Sequence, residues 1–342
     1  MAKTKTSKRK PTVAIIGAGR LGQALALALH SVGYPVVALV ARHRQKAEKA
    51  VALLGEAKPR PLALSASDLG LLVSRRPGPT TVAATGQPGS SGRIRDNVDL
   101  ATTDLLIIAT PDDAIAETAQ RLASLDAGKP HRRTLPQRTV LHTSGALSSA
   151  VLSPLAKSGF HTGSLHPLVS VSEPRAGARG LHGAFYCLEG DPTALRLARA
   201  IVKDLQGTSF SIRPESKALY HAAALLAAGH LTALFDLATE LLAACGLKQS
   251  LARETLLPLV ESTIGNLRVS APEKALTGTF ARGDVATVRR HLRALSGKKH
   301  AESLAVYKLL GLRSLQLAAK NDLDPQRVKQ IEHLLKTPGK KP

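Results

Sequence analysis

The chain has 342 residues, a length that suggests two domains, and 44% of them are hydrophobic, so it can bury a substantial core. Aromatic residues make up 3% and Trp is absent, so that core must be built from Ala, Leu and Val. A net charge of +22 would attract polyanions, but the excess is scattered, without a basic helix or interleaved aromatics, which leaves nucleic acid no more than non-specific contacts with basic tails.

Residues 1–11 read as a solvated basic tail with no apolar signal core behind it, and residues 337–342 as a second one. No apolar run is read as long enough to cross a bilayer, so a soluble cytoplasmic protein without a membrane partner is expected. The first element is VAIIGAGRLG, residues 13–22. Four apolar residues lead into Gly17, Gly19 and Gly22, and an apolar helix pattern follows. This is G-x-G-x-x-G between a strand and a helix, the context that makes it a dinucleotide fingerprint. Gly17 allows the tight turn, Gly19 clears room for a pyrophosphate, and Gly22 lets helix and strand pack closely. The phosphates would meet the helix N-terminus at Arg20 and Leu21, where free N–H groups favour an anion.

The second strand ends in Ala41-Arg42-His43-Arg44. An acid there would bind the ribose hydroxyls of NAD; none is present, so NADP(H) is expected rather than NAD(H). Arg42 and Arg44 are the candidates for its 2′-phosphate, since the guanidinium fork suits phosphate. The alternative is an exposed basic helix start. Residues 56–100 read as irregular, with an inserted loop at 74–97. A buried strand, Leu105 to Ala109, then runs into Thr110-Pro111-Asp112-Asp113. Thr110 and Pro111 would touch the nicotinamide half, while the two acids read as a helix start.

The next strand ends in His142, Thr143, Ser144 and Gly145, and the one after it in His166-Pro167. Ligands bind at carboxyl ends of parallel strands, so Ser144 is a cofactor candidate and both histidines would approach one cleft, though either can equally be structural. Two further short strands flank a helix at about 193–206. Cys187 and Cys245 make no metal or redox spacing, and no metal site is expected. From Glu215 the pattern is one helix of about 30 residues with Gly229 inside it. Lys217, Tyr220 and His221 fall on one face, at i, i+3 and i+4. They mark either an exposed helix start or a proton donor with an orienting partner. Helices at about 248–268, 283–296, 302–319 and 324–336 follow. Asn266 lies in the first of these. Between the first two lies ALTGTFARGD, where Arg282 is a candidate for a substrate carboxylate and Asp284 a candidate N-cap.

GAGRLG, ATPDDAI, LHTSGAL, GSLHPL, GAFYCLEG, KALYHAAA, ALTGTFARGD and TVRRHL together resemble a bacterial family of Rossmann-like proteins with a C-terminal helical domain of unknown function. The wider resemblance is to the 6-phosphogluconate dehydrogenase-like superfamily, which includes ketopantoate reductase, pyrroline-5-carboxylate reductase and deazaflavin-dependent NADP reductases. The resemblance implies a doubly wound α/β domain at 12–213 and an all-helical, often dimer-forming domain at 214–336. It implies hydride transfer between NADP(H) and a carbonyl or imine of a small carboxylated substrate, ketopantoate first. The alternatives are a deazaflavin-linked reductase and a non-catalytic NADP-binding protein. It makes Lys217 a proton donor, with His221 where the superfamily has Asn, and leaves His142, His166, Asn266 and Arg282 to orient substrate. Ala228-Gly229 stands where the narrower family is expected to have Ser-Asn.

Overall fold

The computed structural model describes residues 9–73, 100–126 and 138–337. The expected loop at 74–97 and most of both expected tails lie outside them. The chain divides into two compact units, Met1–Ala228 and Gly229–Pro342.

The first unit begins with β1 (Val13–Ile16), α1 (Arg20–Ser31), β2 (Val36–Ala41), α2 (Arg44–Ala52), β3 (Leu62–Ser65) and α3 (Gly70–Val73). It continues with β4 (Leu105–Ile108), α4 (Asp112–Asp126), β5 (Thr139–His142), α5 (Ser153–Lys157), β6 (His161–Pro167) and α6 (Pro174–Leu181). It closes with β7 (Phe185–Gly190), α7 (Pro192–Asp204), β8 (Thr208–Ser211) and α8 (Lys217–Ala227). The eight strands form one sheet in the order β3-β2-β1-β4-β5-β6-β7-β8. Pairing is parallel except between β6 and β7. The 3-2-1-4-5-6 order is that of a doubly wound dinucleotide fold. β1, β2, β4 and β5 are buried along their whole length, because helices cover both faces; hence their unbroken apolar runs. Alternation divides them between two cores, with Val13, Ile15 and Ile107 on one face and Ala14, Ile16 and Ile108 on the other.

Residues 56–73, read as irregular, supply β3 and α3. The mixed LALS run is only partly buried, as an edge strand is, and so lacks the apolar signal of the central strands. The expected solvated start is also tied down before residue 11. Lys10 Nζ lies 3.0 Å from Asp204 Oδ2 and donates to the Val32 carbonyl.

The second unit contains α9 (Gly229–Ala244), α10 (Gln249–Val269), α11 (Pro272–Ala275), α12 (Val285–Ala294), α13 (Ala301–Ala319) and α14 (Pro325–Lys336). Val288, Leu315, Ile331 and Leu335 form its core, flanked by Phe280 and Tyr307. Gly311 brings α13 close: a Cβ there would lie 2.9 Å from the Phe280 ring. The helix expected to run unbroken through Gly229 is interrupted at Ala228 (φ −123, ψ −69), so α8 is a separate element and the compact units part there rather than at 213/214. The helical stretch Pro214–Ala244 has a mean hydropathy of 1.4 over its most apolar window, of which only 6% is buried. By length and composition it could cross a membrane, which corrects the expectation that no run is that long. Its first turn nevertheless carries Lys217, sealed in the first unit.

Candidate active site

The glycine turn between β1 and α1 has the shape its sequence implies. Gly17 has φ +113, and a Cβ on it would strike the Ala109 carbonyl at the end of β4. A Cβ on Gly22 would strike the carbonyl of Gly17. Gly19 has nothing within 4 Å of where its Cβ would be. The turn is therefore tight at Gly17 and Gly22 and open at Gly19, as a pyrophosphate cradle must be. Gly19 caps α1 without a side chain, and no acid occupies the first turn, so the N–H groups of Arg20, Leu21 and Gly22 are free for an anion. The Thr110 hydroxyl, one residue from the Gly17 contact, is buried without a hydrogen-bond partner among the described residues. These features fit a dinucleotide. At the end of β2, Arg42 is exposed; Arg44 Nε lies 3.6 Å from Glu48 Oε1, an ion pair beyond hydrogen-bond reach.

The second cluster lies at the carboxyl ends of β5 and β6. Lys217, the only buried residue of α8, is 1% exposed. Its Nζ donates to the Ser144 carbonyl at 3.0 Å and to Ser164 Oγ at 2.8 Å, bridging the two strand ends. Ser144 Oγ donates to Asp112 Oδ2 at 2.8 Å and accepts from the N–H groups of Ala146 and Leu147. Asp112 thus both opens α4 and fastens the end of β5 to the end of β4. One turn along α8, the Tyr220 hydroxyl is 2.7 Å from His166 Nδ1. Cys187 faces His166 across the β6–β7 register. The His166 and His221 rings meet edge to face, 5.8 Å apart. Gly145 makes this possible: a Cβ there would lie 2.5 Å from His221 Nδ1 and 2.8 Å from His166 Nε2.

Burial and then the Lys217 charge lower the pKa of both His142 and His166 to about 4. Both rings are neutral at pH 7. Burial also lowers the Lys217 ammonium, against the opposing pull of Cys187, Glu189 and Asp112. Burial pushes the Cys187 thiol and the Tyr220 hydroxyl up.

The structure brings together Lys217, His221, His166, His142 and Ser144. His142 is fully buried, its Nδ1 accepting from the Ser144 N–H, and it supports the turn from beneath. Arg282 and Asn266 are exposed in the second unit. Asp284 is a cap for α12, accepting from the Thr287 N–H and hydroxyl. Sequence reasoning left Tyr220, Ser164, Gly145, Asp112 and Cys187 out of the site. Two of these carried a signal. Tyr220 shares the helix face of Lys217 and His221, and Ser164 shares a strand face with His166. Gly145 and Cys187 carried none, because their roles depend on cross-strand neighbours.

Residues 12–130 match a family model described as NADP oxidoreductase, coenzyme F420-dependent. Residues 184–314 match a domain of unknown function, DUF2520. No curated protein matches the chain. Among solved structures, a protein from Bacteroides fragilis aligns at 20% identity over 90% of this chain and 98% of its own, with a TM-score of 0.64. A Thermotoga maritima protein aligns at 20% identity over 91% and 100%, with a TM-score of 0.60. A Plasmodium falciparum pyrroline carboxylate reductase with NADP bound aligns at 10% identity over 94% and 98%, with a TM-score of 0.53. These likenesses extend the fold over nearly the whole chain. The chain thus has a Rossmann-type fold in which a segment matching the NADP oxidoreductase, coenzyme F420-dependent model is followed by one matching DUF2520.

Proposed function

We propose that this protein uses NADP(H) to transfer a hydride to or from the carbonyl or imine carbon of a small carboxylated substrate, with ketopantoate the first compound to try. One observation carries the reading: a lysine–serine–histidine–tyrosine cluster sits at the carboxyl ends of β5 and β6, in the same sheet whose β1 end holds the open glycine turn. The nicotinamide supplies the hydride chemistry when bound. Gly17, Gly19, Arg20, Leu21 and Gly22 hold the pyrophosphate, Arg42 with Arg44 the 2′-phosphate, and Thr110, Pro111 and Ser144 border the nicotinamide. The uncovered apolar faces of the helical unit support a homodimer.

The test is NADPH oxidation, followed by absorbance, across a panel of 2-oxo acids and cyclic imines, with thermal shift run on the same panel. A compound that stabilises the protein only in the presence of NADPH and is then reduced bears the reading out. The match of residues 12–130 favours a second reading, hydride exchange between NADP and a deazaflavin coenzyme. Oxidised coenzyme F420 as sole acceptor separates the two. NADPH binding with turnover in neither arm leaves a non-catalytic NADP-binding protein.

A further inference from the structure

We propose that His166 is the residue that exchanges a proton with the substrate's reacting oxygen or nitrogen, and that Tyr220 and Lys217 are positioning residues that hold it ready. The proposal rests on the hydride-transfer reading above.

Lys217 is poorly placed to be the donor. Two of its three N–H groups are spent on the Ser144 carbonyl and Ser164 Oγ, and the side chain is sealed at 1% exposure. Releasing it would separate the ends of β5 and β6. His166 is in the opposite position. It is half-buried, and its Nε2 makes no hydrogen bond to any described residue. Its Nδ1 is fixed by Tyr220 at 2.7 Å. A tyrosine hydroxyl has one hydrogen. With that hydrogen turned away from the ring, the oxygen accepts from His166 Nδ1–H, and the Nε2 lone pair is left open. Gly145 lies beside that atom, and the His221 ring meets the imidazole edge to face on the same side, its Nδ1 turned to the same point.

In the oxidative direction, an alcohol O–H proton passes to His166 Nε2. The C–H hydrogen leaves with its electron pair to the oxidised nicotinamide, and the carbon–oxygen double bond forms. In reduction, the imidazolium returns the same proton to the oxygen as the carbon receives the hydride. Burial and then Lys217 and His221 from α8 set its titration; the other titratable groups around the ring and Lys217 are His142 from β5, Cys187 and Glu189 from β7, Asp112 from α4 and Tyr220 from α8.

The experiment uses the full chain with NADPH and three variants, His166→Gln, Lys217→Met and Tyr220→Phe. NADPH affinity is measured by fluorescence, ring protonation by nitrogen-15 histidine spectra, and turnover against pH on the panel. The wild-type His166 ring is expected to carry its proton on Nδ1. Tyr220→Phe is expected to move that proton to Nε2, and Lys217→Met to raise the ring's titration. His166→Gln is expected to cut kcat about 100-fold or more, with NADPH affinity within about threefold. In Lys217→Met, the pH limb is expected to persist and move to higher pH. A limb lost in Lys217→Met and kept in His166→Gln assigns the proton to the lysine and overturns the proposal, as does a wild-type proton on Nε2. Where no panel compound turns over, the ring measurements alone decide. A protein that binds no NADPH sinks the hydride-transfer reading and the proposal with it; NADPH binding with unchanged His166→Gln turnover sinks the proposal alone.

Discussion

His142 and His166 hold the site in a state that depends on pH. Each folded-state pKa is about 4, against about 6.5 for an unperturbed histidine. The unfolded chain therefore takes up these protons first. Stability from keeping both rings neutral is fully present above about pH 6.5 and is lost as pH falls toward 4. Chemical denaturation is expected to give a flat unfolding free energy from pH 8 to 7. Below pH 6.5 it should fall with a slope approaching two protons, about 2.7 kcal/mol per pH unit at its steepest. His142→Gln should halve that slope. A variant with the wild-type slope would show that His142 protonates in the fold without penalty. Arg42 poses the other question at this scale. It is exposed, stands where an acid would select NAD, and makes no ion pair with a described residue. Arg42→Ala is expected to weaken NADPH about tenfold or more while leaving NADH nearly unchanged, because only NADPH has the 2′-phosphate. Equal losses by calorimetry would remove that assignment.

At the scale of elements, the turn from β1 to α1 is the feature most fully written in the sequence. Its glycines and flanking apolar runs imply a tight bend at Gly17, open space at Gly19 and close packing at Gly22, and each is found. Gly22→Ala must move its Cβ away from the Gly17 carbonyl, which is backbone and cannot yield cheaply. An overpacking cost of about 1–3 kcal/mol is expected, together with loss of NADPH binding. Gly19→Ala meets no protein atom, so it should leave the melting temperature nearly unchanged and weaken only the cofactor. A melting temperature lowered as much by Gly19→Ala as by Gly22→Ala would refute the division of roles. Other elements were less legible. β3 lies at the sheet's edge and is half-buried, so its four residues carry no unbroken apolar run. The break between α8 and α9 follows from the backbone at Ala228, a residue with a strong helix propensity that gives no warning. The site itself was half legible. Periodicity places Lys217, Tyr220 and His221 together on α8, but nothing in the chain says that the lysine would be sealed against β5 and β6 while a histidine from β6 stays open.

For the whole molecule, the unresolved balance is apolar surface. The first unit buries β1, β2, β4 and β5 completely, yet α9 and α10 bury one residue each, Thr239 and Ala252. Leu251, Leu257, Leu259, Ile264 and Leu267 of α10 stand 40–65% exposed, and Leu231 and Leu234 of α9 stand 39% exposed. Exposed apolar side chains in this number mark a surface that something covers. Length and composition alone would admit a bilayer for Pro214–Ala244, but Lys217 and Tyr220 on that stretch are hydrogen-bonded within the first unit. A second copy of the chain is the simplest cover, since the same face is available on both and buries itself isologously. Leu259, at 65% exposure and with no role in the single chain's core, is the residue to change. Wild-type protein is expected to elute as a dimer, with light scattering giving twice the 35.9 kDa chain mass. Leu259→Glu should shift it toward monomer, because a carboxylate buried without a partner costs several kcal/mol at each of two symmetric positions. Circular dichroism should remain helical, since the variant touches no internal packing. A wild-type monomer that stays soluble at high concentration would refute the dimer. A dimer indifferent to Leu259→Glu would place the interface on another face of the helices.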